Sequence, residues 1–248
     1  MTEATTGKHK PGIRWKTIAL VAVCFLFAIG ATAPRLGLLG WDERVSYAPE
    51  GEPKADAVVL LSGDMGLHLG MSGSIARGLA AHGYRVIGVS SPVTFASHRT
   101  PEQAQQIVTA AMNVAVQGHA RRVILAGQSF GADVIASVLP RLSLPIREKI
   151  VGAILVVPSD NVHLRADPIG LAYLGEPDDT PAAALNRQIA PPLTCIQGED
   201  ETSSLCPLLH GQTLHKIALP GDHYLDHDAA RVIGTMTAAI DAMGRRPT

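Results

Sequence analysis

Short apolar runs alternate with segments of helical periodicity along most of the chain. Runs such as 57–61 (AVVLL) and 151–157 (VGAILVV) are typical of buried strands in a parallel sheet. The predicted strands are 57–61, 85–90, 123–126, 151–157, 193–196 and 216–219, and the predicted helices are 72–82, 102–117, 132–139 and 228–243. This alternation predicts an α/β fold, in which helices cover both faces of a mostly parallel sheet.

The N-terminus carries a different apolar pattern. Positions 17–33 hold no charged residue, and four basic residues lie between positions 8 and 16. A basic flank places the start of such a run in the cytoplasm, and its length suits either a signal peptide or a spanning helix. We expect residues 1–35 to be a cleaved signal peptide or a membrane anchor, and both alternatives make the rest periplasmic. A linker is predicted over 36–54 and the folded domain over 55–248.

Composition excludes several classes of function. The 248 residues are 46% hydrophobic and 17% charged, which excludes disorder throughout the chain. The net charge of −1 provides no broad basic face, so no nucleic-acid partner is expected. The sequence has no H-E-x-x-H, C-x-x-C, Walker or G-x-G-x-x-G motif, so neither a metal nor a nucleotide cofactor is predicted.

The strongest chemical motif is GQSFG at 127–131, which directly follows a predicted strand and directly precedes a predicted helix. This is the G-x-S-x-G nucleophile elbow in the context that it requires. Side chains at Gly127 or Gly131 would collide with the flanking strand and helix. The motif therefore predicts Ser129 as the nucleophile.

The elbow also predicts the order of its partners along the chain, an acid after a later strand and then a histidine. His223 lies in the loop before the last predicted helix and is the candidate base, with His227 as its main rival. The strand at 193–196 leads into the candidate acids Asp200 and Glu201. Asp200 has the commoner residue type and Glu201 the commoner offset from Gly198, so both stay open.

An oxyanion hole needs two backbone N–H groups. Phe130, directly after the nucleophile, is one expected donor, and Asp64, in the loop after the first predicted strand, is the other. The Asp64 carboxylate either caps a turn or contacts a substrate ammonium. The irregular segment 159–190 should lie over the carboxyl ends of the strands, where substrates bind. It is short, so the lid is expected to be small or absent.

Cys195 and Cys206 flank the acidic loop. In an oxidising compartment they could form a disulfide that holds this loop in place. The alternative is a pair of unlinked, buried small residues.

Four motifs in order resemble the VirJ-type bacterial virulence protein domain, which is similar to the C-terminal domain of periplasmic aminoacyl-phosphatidylglycerol hydrolases. They are SGDMG at 62–66, GQSFGADV at 127–134, the segment from Cys195 to Cys206, and LPGDHYLDHD at 219–228. The resemblance implies an α/β-hydrolase fold with Ser129 as nucleophile, His223 as base and Asp200 or Glu201 as acid. The family's usual Gly-Gly-Trp after Asp64 is Met-Gly-Leu here, and its usual second histidine is Tyr224, a candidate substrate-binding residue.

The residues alone indicate a secreted or anchored serine ester hydrolase. The resemblance implies a phospholipid substrate in the inner membrane, lysyl- or alanyl-phosphatidylglycerol, whose ammonium Asp64 or Asp222 could bind. Two alternatives remain: a generic periplasmic esterase or thioesterase, and a non-catalytic accessory protein of type IV secretion. No motif indicates a protein partner directly, and no cofactor is expected.

Overall fold

The computed structural model describes residues 18, 20–24, 42–118, 120–187 and 191–244. The chain divides into two compact units, 1–40 and 41–248. In the first unit the described residues, 18 and 20–24, are helical. Among all described residues, no helix has both the length and the apolarity needed to cross a membrane. The predicted leader of residues 1–35 lies largely outside the described residues.

The second unit is built on one sheet with the strand order β1-β3-β2-β4-β5-β6-β7. The strands are β1 Arg44–Tyr47, β2 Ala57–Leu61, β3 Arg85–Val89, β4 Val123–Gln128, β5 Ile150–Val156, β6 Leu193–Gly198 and β7 Leu214–Leu219. β1 runs antiparallel to β3, and the other neighbouring strands are parallel. The predicted fold class is confirmed.

Helices connect the strands and cover both faces of the sheet. They are α1 Ser72–Ala81, α2 Ser91–Thr94, α3 Pro101–Gln117, α4 Phe130–Val138, α5 Leu144–Arg147, α6 Ala182–Arg187 and α7 Ala229–Gly244. The sequence pattern predicted the long ones, α1, α3, α4 and α7. The short helices α2, α5 and α6 were not predicted, because four to six residues are too few to display a helical period.

The strands are apolar throughout because both of their faces are buried. Val59 and Leu61 of β2 point into the core beneath α3 and α4, whereas Val58 and Leu60 point into the core beneath α1 and α7. Successive side chains of a strand point to opposite faces, so a strand between two helical layers needs an apolar residue at every position.

The segment 36–54 predicted as a linker contains β1. Its residues, RVSY, alternate between exposed and half-buried, and the strand lies at the edge of the sheet. A four-residue edge strand with polar positions lacks the continuous apolar run that identified the buried strands.

The connection between β5 and β6 positions the functional site. It contains a 3-10 turn at Leu171–Leu174 and the helix α6, and it runs over the carboxyl ends of the strands. The backbone N–H of Asp167 in this connection donates to the carboxylate of Asp64, at 2.9 Å, in the loop that follows β2. The connection therefore reaches the same edge of the sheet as Ser129, as a small lid would.

Candidate active site

Ser129 occupies a strained turn between β4 and α4. Its φ of 53° and ψ of −125° place a residue other than glycine in a region that L-amino acids rarely adopt. The Ser129 N–H donates to the carbonyl oxygen of Val156 on the neighbouring strand, at 2.8 Å. Backbone strain of this kind costs about 1–3 kcal/mol and is concentrated at functional sites. Here it projects the hydroxyl away from the sheet.

Both glycines of the elbow are required by close backbone packing. A Cβ at Gly127 would lie 2.3 Å from the carbonyl oxygen of Gly131. A Cβ at Gly131 would lie 2.2 Å from the carbonyl oxygen of Leu61 in β2. In each case the obstacle is backbone, which cannot move aside as the end of a flexible side chain could. These contacts account for the small residues that the motif needs on either side of Ser129.

Ser129, His223 and Glu201 form a chain of hydrogen bonds. The Ser129 hydroxyl donates to Nε2 of His223 at 2.8 Å, and Nδ1 of His223 donates to Oε1 of Glu201 at 2.6 Å. An ionised carboxylate can only accept, so Glu201 fixes the imidazole with its proton on Nδ1 and a free lone pair on Nε2. The Glu201 side chain is only 5% exposed, and its second oxygen accepts from the N–H of Gly198 at 3.4 Å.

Asp200, the other candidate acid, is placed differently. The N–H of Glu201 donates to the carbonyl oxygen of Gly198 at 3.3 Å, which closes a turn with Glu199 and Asp200 at its exposed apex. The Asp200 carboxylate makes no hydrogen bond to any described residue. The turn therefore directs Glu201 back towards His223, and the structure does not bring Asp200 to the imidazole.

His227, the rival base, lies beside the site without joining the chain. Its ring packs against that of Tyr224, with centroids 5.5 Å apart. The backbone from Leu225 to His227 has positive φ values of 51° to 56°, which form a left-handed turn that begins two residues after His223. Left-handed residues other than glycine cost about 1–2 kcal/mol each. The turn separates His227 from His223 and directs only the latter to Ser129.

The loop after β2 is tied to the elbow by side chains. The N–H of Gly63 donates to Oγ of Ser72 at 3.0 Å, and that hydroxyl donates to the side-chain oxygen of Gln128 at 2.7 Å. The next residue, Asp64, and Phe130 after the nucleophile both line the cavity above Ser129. Neither of their N–H groups donates to an acceptor among the described residues. Both predicted oxyanion donors are thus available to a ligand.

The cavity above Ser129 has a volume of about 750 Å³ and an acidic lining. Four aspartates contribute to it, and none of the described lining residues is a lysine or an arginine; the four are Asp64, Asp133, Asp160 and Asp167. Across all described residues, no group of three or more His, Cys, Asp or Glu side chains is arranged to hold a metal ion.

Asp64 connects two loops around the cavity. Its Oδ1 accepts from the N–H of Asp167 at 2.9 Å and from the hydroxyl of Tyr173 at 2.5 Å. Burial raises the pKa of the Asp64 carboxyl, and these two hydrogen bonds offset the shift only in part. The Asp64 side chain therefore links the loop after β2 to the connection between β5 and β6.

The structure adds a carboxylate that the sequence reasoning missed. Asp133 lies in the first turn of α4, four residues after Ser129, and lines the cavity. It is an acid within a helix of otherwise apolar or small residues, FGADVIASV, and that contrast was the available signal. A carboxylate kept inside a buried helix needs a structural or a functional reason.

Of the two remaining predicted substrate-binding residues, Tyr224 lies at the cavity and Asp222 does not. Tyr224 lines the cavity mouth and is largely exposed. Asp222 does not line the cavity; its Oδ1 instead accepts from the N–H of Tyr224 at 2.8 Å, which caps the local turn. The structure therefore does not place Asp222 where it could meet a substrate ammonium.

A disulfide joins Cys195 in β6 to Cys206, with Cα atoms 5.6 Å apart. Both residues are buried. The bridge closes the loop that carries Glu201, so it restricts the positions open to the carboxylate that holds His223.

The sheet, its two helical layers and the strand–turn–helix around Ser129 define an α/β-hydrolase fold. Within that class the chain belongs to the bacterial virulence protein VirJ family, whose sequence profile matches residues 56–244. A comparison with curated protein sequences finds no match.

Several solved structures share the fold. One is described as LipS and LipT, two metagenome-derived lipolytic enzymes, with a TM-score of 0.59, 16% identity, and 81% of this chain and 97% of that chain covered. Est1E from Butyrivibrio proteoclasticus has a TM-score of 0.55 at 13% identity, covering 80% and 94%. A thioesterase domain from the curacin biosynthetic pathway has a TM-score of 0.53 at 15% identity, covering 79% and 94%. At these identities the likeness establishes the fold alone.

Proposed function

We propose that this protein is a serine ester hydrolase. The observation that carries the proposal is the hydrogen-bonded chain from Ser129 through His223 to Glu201, which opens into a cavity with two available N–H donors. This arrangement matches the three roles that acyl transfer needs: a nucleophile, a base held in one tautomer and donors for an oxyanion.

The proposed reaction follows from the positions of these groups. Ser129 Oγ attacks the ester carbonyl carbon while His223 Nε2 takes the hydroxyl proton, and Glu201 stabilises the imidazolium that forms. The N–H groups of Phe130 and Asp64 donate to the oxyanion. His223 then gives its proton to the leaving alkoxide, which departs as an alcohol. Water attacks the acyl-enzyme by the same steps in reverse and releases the acid.

The proposed substrate is aminoacyl-phosphatidylglycerol, with a lysyl or alanyl group, at the periplasmic face of the inner membrane. Membership of the VirJ family supports this through the resemblance to aminoacyl-phosphatidylglycerol hydrolases. The acidic lining of the cavity, which contains no described lysine or arginine, suits an aminoacyl group that carries an ammonium. The disulfide suits an oxidising compartment such as the periplasm.

The cavity mouth also suits a lipid. Five large apolar side chains at or near it are mostly exposed; we call this group, Met65, Ile169, Leu171, Leu174 and Tyr224, the apolar rim. Three of them line the cavity itself, and Leu171 and Leu174 flank Tyr173, which also lines it. Clustered exposed apolar side chains at a site mark an interaction surface, whereas scattered ones do not.

The test is release of amino acid from lysyl- and alanyl-phosphatidylglycerol in mixed micelles by the full chain, beside Ser129→Ala. We expect release by the parent, a loss of about 10³-fold or more in the variant, and intact phosphatidylglycerol as the second product. Ser129-dependent turnover of simple esters without lipid cleavage would identify a generic esterase or thioesterase. Inactivity on both would favour the non-catalytic accessory role.

A further inference from the structure

Asp133 is a buried acid that the proposed reaction does not use. Only 9% of its surface is exposed, and it lies one helical turn beyond Ser129 on the wall of the cavity. Its neighbours along α4 are apolar or small. Its position beside the reacting serine, rather than on the outer surface, is what requires explanation.

One carboxylate oxygen of Asp133 has a partner and the other does not. Oδ1 accepts from the N–H of Ser159 at 2.7 Å, in the loop after β5. Oδ2 accepts no hydrogen bond from any described residue, yet it is not sealed from solvent. Since the residue is almost fully buried and its exposed part lines the cavity, Oδ2 is presented to whatever occupies that cavity.

The surroundings of Asp133 oppose its negative charge. Burial raises the pKa of the Asp133 carboxyl well above its usual range, the N–H of Ser159 offsets this in part, and the carboxylates of Asp64, Glu201 and Asp160 raise it further. No lysine or arginine among the described lining residues compensates. A cation entering the cavity would lower this pKa and pair with the carboxylate.

Asp64 is the other aspartate close to the nucleophile, and its Oδ2, like that of Asp133, accepts no hydrogen bond from any described residue. Its Oδ1 holds both Tyr173 and the N–H of Asp167. The Asp64 carboxylate thus links two loops and receives two hydrogen bonds, whereas the Asp133 carboxylate receives one, from the N–H of Ser159, and keeps more of its hydrogen-bonding capacity for a ligand.

We propose that Asp133 binds the α-ammonium of an aminoacyl ester and thereby determines the specificity of the enzyme for a free amino group. This deepens the proposed function and rests on it. In any aminoacyl ester the α-nitrogen is bonded to the carbon next to the carbonyl. When that carbonyl lies against Ser129 with its oxygen at Phe130 and Asp64, the ammonium is held within a few ångström, the range of a residue one helical turn away. Lysyl and alanyl esters share this group.

The test compares Asp133→Asn with the parent, both as full chains, on alanine methyl ester and N-acetylalanine methyl ester. The two esters share the acyl carbon and the leaving group and differ in charge at the α-nitrogen. We expect kcat/KM for the charged ester to fall about tenfold or more, as for a lost charge-assisted hydrogen bond. For the acetylated ester we expect a change of less than about threefold.

Two controls separate recognition from folding. In Asp133→Asn the side-chain amide oxygen can still accept from the N–H of Ser159, so the melting temperature at pH 7 should not fall below that of the parent. Asp241→Asn makes the same chemical change on α7, outside the cavity lining, and should leave the ratio between the two esters unchanged.

Equal losses on both esters would overturn the proposal in favour of a positioning role for Asp133. No loss on either ester would also overturn it. The lipid assay keeps the two proposals apart. If Asp133→Asn cleaves aminoacyl-phosphatidylglycerol as fast as the parent, the ammonium site is wrong and the lipid hydrolase stands. If the parent cleaves the charged methyl ester through Asp133 but not the lipid, the ammonium site stands and the lipid substrate is wrong.

Discussion

At the scale of single residues, the contact between Glu201 and His223 decides whether Ser129 can be activated. The imidazole accepts a proton on Nε2 only while its own proton stays on Nδ1, and the Glu201 carboxylate fixes that tautomer. A glutamine at this position keeps the size of the side chain, but its amide group can donate to Nδ1. The proton would then reside on Nε2, facing Ser129, and the base would be lost.

We therefore expect Glu201→Gln to lower kcat for a simple ester by roughly 10³–10⁴-fold, the loss associated with a wrong imidazole tautomer. Asp200→Asn is the matched control, since it makes the same chemical change one residue earlier at an exposed apex, and it should stay within about twofold. Steady-state rates of both variants, corrected for the Ser129→Ala background, provide the measurement. A comparable loss in Asp200→Asn would show that the acid role does not belong to Glu201 alone.

The sequence was informative about these residues to different degrees. Ser129 could be predicted because the elbow places a nucleophile through its own glycines and flanking elements. The choice between Asp200 and Glu201 could not be made, because it depends on how the turn closing at Gly198 directs consecutive side chains. Asp133 was missed, because burial beside a cavity is a property of the assembled fold rather than of the local sequence.

At the scale of elements, the connection between β5 and β6 is attached to the oxyanion loop through Tyr173 and Asp64. The tyrosine hydroxyl donates to a carboxylate that burial already disfavours in its charged form. Burial and this carboxylate together raise the pKa of Tyr173 well above its usual range, so the hydroxyl remains a donor. The sequence predicted an irregular segment here, but not this contact, which joins residues 109 positions apart.

Tyr173→Phe should lower the free energy of unfolding by about 1–2 kcal/mol, because Asp64 loses a donor while the ring contact with His163 is kept. Urea unfolding of parent and variant measures the difference. Tyr224→Phe is the control, since its hydroxyl makes no hydrogen bond to the described residues and its ring is exposed. Equal stability of parent and Tyr173→Phe would show that the contact does not hold the connection in place.

At the scale of the whole second unit, exposed apolar side chains are concentrated on one side. Of the described large apolar residues that are exposed there, only Leu144 and Leu208 lie outside the apolar rim. Three rim residues line the cavity that holds Ser129, and the other two belong to the 3-10 turn that contains the lining residue Tyr173. A bilayer surface would cover these side chains and bring a lipid ester to the cavity mouth. The resemblance in motifs supports the proposed lipid substrate but does not reveal this asymmetry, because the rim is assembled from three loops, one of which contains the 3-10 turn.

Leu171→Asp should reduce cleavage of aminoacyl-phosphatidylglycerol in anionic vesicles about five- to tenfold, since a carboxylate in the rim is repelled by the bilayer and loses an apolar contact worth about 1–2 kcal/mol. Hydrolysis of a soluble methyl ester should be unchanged, because the leucine does not touch the reacting groups. Leu144→Asp is a close control: the same residue type, equally exposed at 66%, and likewise the first residue of a short helix. Rates on vesicles and on the soluble ester, measured for all three proteins, distinguish a membrane-facing rim from a general effect of added charge. Equal losses in both variants would remove the argument that this side of the molecule faces the membrane.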